Sequence, residues 1–209
     1  MPVNIKYIAQ KTGLSNSTVS RVLNGKAKAY RISESTQKRV LQAVEEFDYI
    51  PNRLARGLKL NKTETIGLII PDISNPFFAD IARSIELEAR KKGYTIILCD
   101  STDDTRTEKE LLHLMQARQV DGIVIAPVGT SEAHLLEIYK KGMPVMVIDR
   151  SFPESPLPFI TSDNYAGAFE ATSYLIRKGH TQIACIQGIP DSHPNKQRVK
   201  GYRQALWGL

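Results

Sequence analysis

Apolar residues recur along the chain at two different periods, and the change comes near residue 65. Before that point the spacing is helical. Val19, Val22 and Leu23 fall at i, i+3 and i+4 and share one face, while Asn16, Ser17, Ser20, Arg21 and Asn24 fall on the other. Ser15 stands where an N-cap is needed, and Gly13 suits a tight turn that calls for positive φ. Ala9 is small enough for the preceding helix to cross closely, so residues 9–24 predict a helix-turn-helix. Asn4 is expected to cap a first helix over about 5–12, with Ile5 and Ile8 inward. A polar loop, residues 25–31, leads to Ser33, which caps a third helix. Glu34 lies in the first turn of that helix, where the dipole favours an acid. Val40, Ala43, Val44 and Phe47 form its inner stripe. Tyr49-Ile50-Pro51 ends it, because proline pushes the residue before it out of the α region.

Beyond residue 65 the apolar residues come as short continuous runs. Residues 66–70, 95–98, 123–126 and 145–148 predict strands buried on both faces. Helical stretches over about 77–92, 106–118 and 132–141 alternate with them, which predicts a parallel sheet. A strand (159–162), a helix (164–178), a strand (183–187) and a helix (196–207) follow. Residues 52–62 join the two regions. Gly57 costs a helix there about 1 kcal/mol, and an isolated helix of that length is marginal in water. The linker is therefore expected to be disordered alone and to fold only against a partner.

Charge separates the two regions as clearly as periodicity does. Residues 1–62 hold 12 Lys and Arg against 4 Asp and Glu, a net +8, whereas the rest holds 16 basic and 18 acidic residues. On pattern alone, the polar face of residues 16–24 could be merely solvated. A net-basic head carrying a helix whose outer face holds amides, hydroxyls and one guanidinium favours the DNA major groove.

Other chemistries find little support. No phosphate-binding glycine fingerprint follows a strand, and no nucleophile–base arrangement is legible, so no enzyme and no cofactor are expected. The histidines lack metal spacing; His113 and His134 are expected to be solvated helix residues, and His180 a turn residue. Cys99 and Cys185 lie in apolar runs and are expected to be buried, inert thiols. There is no secretory signal pattern and no run long enough to span a membrane, so a soluble cytoplasmic protein without membrane partners is expected.

Six stretches together resemble the LacI family of bacterial transcription regulators. They are I-A-Q-K-T-G-L-S-N-S-T-V-S-R-V-L-N, Y-I-P-N-R-L-A-R-G-L, I-G-L-I-I-P-D-I-S-N-P-F-F, V-D-G-I-V-I-A-P, V-M-V-I-D-R and S-D-N-Y-A-G, in the family's order. The resemblance implies a small all-α helix-turn-helix head (1–51), a hinge helix (52–62), and an α/β parallel-sheet domain like periplasmic binding proteins. That domain would span 63–209, with a first lobe to about 162 and the start of a second over about 163–209. It implies a homodimer on a pseudo-palindromic double-stranded operator, acting as a repressor of carbohydrate-related genes. A small-molecule effector, a sugar or sugar phosphate, would control it.

Carried over by motif, Asn16, Ser17 and Arg21 would read bases. Ser15, Thr18, Ser20, Asn24 and Asn52 would hold phosphates, as hydroxyls and amides near a helix N-terminus suit phosphate oxygens. Leu58, helped by Ala55, would wedge into the minor groove and kink the duplex; packing against the sheet domain is the competing role for Leu58. Asn75, Phe77, Phe78, Asp149, Arg150 and Arg198 would bind the effector, with at least one of the two phenylalanines serving as core. Strand C-terminal ends are where open α/β sheets bind ligands.

Two departures from the family pattern stand out. The loop over residues 26–32 is longer than in many members, and its Lys26, Lys28 and Arg31 offer additional phosphate contacts. The second lobe is expected to continue past Trp207-Gly208-Leu209, so the domain is expected to be incomplete at its C-terminus, with an impaired effector response and weakened dimerisation. A sugar-binding module, an α/β enzyme and a non-functional fragment are the competing readings. The basic head and the lack of a secretory signal speak against the first, and the lack of a catalytic set against the second.

Overall fold

The computed structural model describes residues 3–49 and 62–207. The chain divides into two compact units, Met1–Leu60 and Asn61–Leu209. In the first unit three helices, α1 (Ile5–Thr12), α2 (Asn16–Leu23) and α3 (Glu34–Glu46), enclose a small core. Ile8, Val19 and Val40 lie at its centre, closed by Ala9, Val22, Ala27 and Ala43. Each helix starts on the cap the sequence offered. The Asn4, Ser15 and Ser33 side chains accept the backbone N–H groups of Tyr7, Thr18 and Thr36 at 3.0, 3.1 and 3.3 Å. At Gly13 (φ 62°) the chain turns left-handed, and the N–H of Leu14 returns to the carbonyl of Ala9 at 3.0 Å, closing α1.

The end of α3 differs from expectation. The helix stops at Glu46, well before Pro51. Asp48 takes a left-handed φ of 45°, and the N–H of Tyr49 bonds the carbonyl of Val44 at 2.9 Å. A local hydrogen-bonded turn satisfies the last carbonyls, so a downstream proline is not what stops the helix.

In the second unit a five-stranded parallel sheet has the order β2-β1-β3-β4-β5. The strands are β1 (Thr65–Ile70), β2 (Thr95–Asp100), β3 (Gly122–Ile125), β4 (Val145–Ile148) and β5 (Phe159–Ile160). Between them run α4 (Pro76–Lys91), α5 (Thr105–Ala117) and α6 (Ala133–Lys140). Side chains of a strand alternate between faces, so β1, an interior strand, feeds two cores. Ile69 packs among Leu112, Met115, Ile125 and Leu135, on the side of α5 and α6. Leu68 and Ile70 pack with Phe78 and Ala82 of α4. After β5 come α7 (Asn164–Arg177) and α8 (His193–Leu206), which cross where Gly201 lies against the backbone of Tyr165 and Phe169. Among the described residues no helix is long and apolar enough to cross a membrane.

Several expectations for this unit need correction. Residues 95–98 were expected to be buried on both faces, but β2 is an edge strand and only partly covered. Cys99, on that strand, is accordingly half-buried; Cys185 is half-buried too. Residues 183–187 form no strand, because no neighbouring strand offers them ladder hydrogen bonds among the described residues, and Ile186 is almost fully exposed. The fifth strand is paired only over Phe159–Ile160 rather than to 162.

His134 is not solvated. Its side chain is 12% exposed, and Nε2 lies 2.6 Å from Oε1 of the fully buried Glu108. The other carboxylate oxygen of Glu108 accepts the N–H of Val128 at 2.7 Å. The pair therefore ties α5 and α6 to the connection that follows β3.

Candidate functional site

The first candidate surface is the outer face of α2. Val19 and Val22 turn inward, while Asn16, Ser17, Arg21 and Asn24 are exposed and Ser20 is half-buried. At the helix start two hydroxyls gather around that of Ser15: its Oγ lies 2.8 Å from Ser17 Oγ and 2.9 Å from Thr18 Oγ1. At the other end Asn24 is engaged with its own helix, donating from Nδ2 to the Ser20 carbonyl at 2.7 Å. Asn16 and Arg21 carry the longest polar groups on this face. An amide offers both donors and acceptors, and a guanidinium five donors in a plane. The surroundings match that reach: residues 1–33 contain no Asp or Glu, but hold Lys6, Lys11, Arg21, Lys26, Lys28 and Arg31.

The loop after α2 is ordered rather than simply polar, with Ala27 buried in the head core. It brings Tyr30 against Arg21, whose guanidinium carbon stands 3.9 Å from the ring centroid. The expectations drawn from sequence did not include Tyr30; the signal available was an aromatic residue interleaved with Lys26, Lys28 and Arg31. The expected hinge residues Ala55 and Leu58, together with Asn52, lie outside the described residues.

The second candidate site lies at the C-terminal ends of the strands. Asn75 caps α4, accepting the N–H of Phe77 at 3.1 Å. Phe77 is 51% exposed and Phe78 only 5%, so Phe78 is the core residue of the two. Their rings meet edge to face at 5.1 Å. The guanidinium of Arg150 stands 5.9 Å from the Phe78 ring and donates to Asp103 Oδ1 at 2.9 Å and the Pro127 carbonyl at 3.3 Å. Arg198 Nε donates to Asn164 Oδ1 at 2.7 Å. Asp149 holds a left-handed φ of 58° beside these two cations. Burial pushes its carboxyl above the ordinary range, and the charges of Arg150 and Arg198 pull the other way.

Structure thus brings Asp149, Arg150 and Arg198 together and adds Asp103 and Asn164, which the sequence reading did not single out. Distant positions that meet only through the sheet order leave no local signal. Beside Arg150 opens a cavity of about 260 Å³, lined also by Ser151, Phe152, His193 and Lys196. Ser151 Oγ and His193 Nδ1 are 3.2 Å apart at its wall. A larger cavity of about 410 Å³, lined by Gln187, Asn195 and Trp207 among others, contains none of the expected site residues. Among the described residues no cluster of His, Cys, Asp and Glu could hold a metal ion.

Comparison with known proteins covers both units. Residues 4–52 match the family model for bacterial regulatory proteins of the lacI family. Residues 63–209 match the one for periplasmic binding proteins and the sugar binding domain of the LacI family. The chain is similar to catabolite control protein A of Priestia megaterium, with 41% identity over 209 residues. The match takes in 99% of this chain and 61% of that protein, so the chain spans about 61% of that relative's length. It is also similar to a solved lac repressor dimer bound to operator and the anti-inducer ONPF: 26% identity, TM-score 0.87, 100% of this chain and 62% of that one. The Cra transcriptional dual regulator from Pseudomonas putida, solved with fructose 1-phosphate, is 30% identical with a TM-score of 0.66, over 69% of this chain and 54% of that one.

Proposed function

The chain belongs to the LacI family of bacterial regulatory proteins, and from that membership we propose that it is a sequence-specific DNA-binding regulator of transcription, a repressor of carbohydrate-related genes. Asn16, Ser17 and Arg21 read base edges in the major groove. Ser15, Thr18, Ser20, Asn24 and Asn52 set the register on phosphates. Leu58, with Ala55, enters the minor groove and bends the duplex so that two heads of a homodimer engage one operator. The protein works in the cytoplasm, where the DNA is, and catalyses no reaction.

The observation that carries this reading is the exposed, acid-free face of α2, with Asn16 and Arg21 reaching outward from a rigid apolar floor. Phosphate attraction needs only positive charge. Base reading needs donors and acceptors fixed in direction, and that is what a capped helix on a packed core supplies.

The strand-end site takes the effector, a sugar or sugar phosphate. Phe77 offers an aromatic face; Asp149, Arg150 and Arg198 offer a carboxylate and two guanidinium forks for hydroxyl or phosphate oxygens. Asn75 shapes the site by fixing the start of α4, and Phe78 supports Arg150 from the core. The test is selection of bound duplexes from a random DNA pool at one stated salt concentration, repeated with pentoses, hexoses and their phosphates. The reading predicts one enriched pseudo-palindromic sequence and, in line with the impaired response expected from the sequence, only partial release by at least one sugar or sugar phosphate. Binding without enrichment contradicts the first half, and indifference to every sugar the second.

A further inference from the structure

The loop between α2 and α3 is built as one extra turn locked at both ends. The N–H of Lys26 returns to the carbonyl of Arg21 at 2.9 Å, so the loop starts on the very residue it later meets. Tyr30 N–H donates to the Lys26 carbonyl at 3.3 Å, and Ile32 N–H to the Ala27 carbonyl at 2.9 Å. Ala27 is buried beside Val19 and Val22 of α2. Arg31 takes a left-handed φ of 52° to close the turn, a conformation uncommon outside glycine. This frame fixes the backbone of Tyr30, a residue 52% exposed, and the centre of its ring lies 3.9 Å from the Arg21 guanidinium carbon.

We propose that Tyr30 is a positioning residue for base reading: it stacks on the guanidinium of Arg21 and thereby sets how sharply Arg21 discriminates its base pair. The inference rests on the proposed reading of Arg21 as a base-contacting residue. A guanidinium stacks through its flat face, while its N–H donors lie in the plane and point outward from the edge. A bidentate contact to guanine uses that edge. One group can therefore be held by Tyr30 and read DNA at once. An unstacked arginine must lose its rotamer freedom when DNA arrives, whereas a stacked one has lost much of it beforehand. The advantage falls on the cognate base pair, which needs one guanidinium direction. It does not fall on random sequence, where a phosphate contact tolerates many directions.

The experiment uses the full chain and the operator selected from the random pool. Affinity is measured for the operator, for duplexes changed at each single base pair, and for an unrelated duplex, at one salt concentration. The proteins are wild type, Arg21→Ala, Tyr30→Ala, Tyr30→Phe and the double variant Arg21→Ala with Tyr30→Ala. A cation–π contact of the usual strength limits the gain from such preorganisation to roughly 30-fold, and Tyr30→Ala is expected to lose operator affinity within that limit. Its discrimination should fall at the same base pair as in Arg21→Ala, with the affinity for the unrelated duplex unchanged. Tyr30→Phe keeps the ring and should behave as wild type. The double variant should be no weaker than Arg21→Ala alone, because the two residues act as one unit.

Independent losses that add, an equal loss on every duplex, tighter operator binding by Tyr30→Ala, or failure of Tyr30→Phe to match wild type would each overturn the inference. If Arg21→Ala loses discrimination and Tyr30→Ala does not, only the role of Tyr30 fails. If Arg21→Ala itself loses no discrimination, the base-reading role of Arg21 falls, and the inference with it.

Discussion

The outer face of α2 and the strand-end cluster of the sheet unit assemble their polar groups in opposite ways. On α2 every candidate residue lies within one turn or two of the next, and Asn16 and Arg21 project from the surface. At the strand ends Asn75, Asp103, Asn164 and Arg198 come from four separate parts of the chain and are already engaged with other side chains or with backbone, while the Asp149 carboxyl feels the charges of Arg150 and Arg198. On the proposed function, the α2 face would meet a rigid ligand, the duplex, as a preformed surface. The strand-end groups would instead have to trade existing partners for those of a small molecule. The first arrangement favours directional readout, and the second favours a site whose charge balance shifts when a ligand enters. Each prediction below is a way to separate the two regions or to bring the contrast into sharper focus.

The largest effect is expected from Ile8→Ala, since Ile8 is fully enclosed in the head core. Removing it should cost the head about 2–5 kcal/mol. Hydrogen exchange should show residues 5–46 losing protection while the strands of the sheet unit keep theirs. Equal loss in both would show that the units do not hold their stability separately.

Arg21→Ala should weaken binding to the selected operator by about 1–3 kcal/mol and relax the choice of base at one position per half-site. Sugar binding by the same variant, followed by calorimetry, should stay as in wild type.

His134→Ala bears only on the sheet unit. Leaving the buried Glu108 carboxylate without its imidazole partner should cost about 1–3 kcal/mol, read as a lower melting temperature for that unit. Operator affinity should not change in protein that remains folded.

Legibility in the sequence followed the same divide. The head was readable because its signals are local: Asn4, Ser15 and Ser33 sit one residue before the helices they cap, and Gly13 sits in the turn it permits. Where the head departed from expectation, the cause was a turn conformation that composition does not encode. Asp48 closes α3 in place of Pro51, and residues 27–31 fold so that Tyr30 meets Arg21. In the sheet unit the alternation of apolar runs and helical stretches located the elements, but not their neighbours. That β2 would be an edge strand with a half-exposed Cys99 depends on the order β2-β1-β3-β4-β5, a long-range property. The same holds for the contact of His134 with Glu108, 26 residues away. It holds again for residues 183–187, an apolar run that has no strand beside it to pair with among the described residues.

The smallest effect concerns Asp149 and depends on pH. Burial holds its carboxyl above the ordinary value, so the folded state favours the protonated form. The stability this lends is present below the unfolded-state value and is lost as pH rises through the raised one. Asp149→Asn should therefore give a slightly higher melting temperature than wild type at neutral pH, with the difference vanishing as both are acidified below the ordinary carboxylate range. A lower melting temperature at neutral pH would mean that the charges of Arg150 and Arg198 outweigh burial.

The central claim is that α2 reads sequence and does not merely attract phosphate. Its most direct test is the ratio of affinities for the selected operator and for an unrelated duplex of the same length, measured across a range of salt concentrations. The account predicts that both affinities fall as salt rises while the operator stays ahead by on the order of 10³-fold or more. Two affinities that fall together with a ratio near one would contradict it.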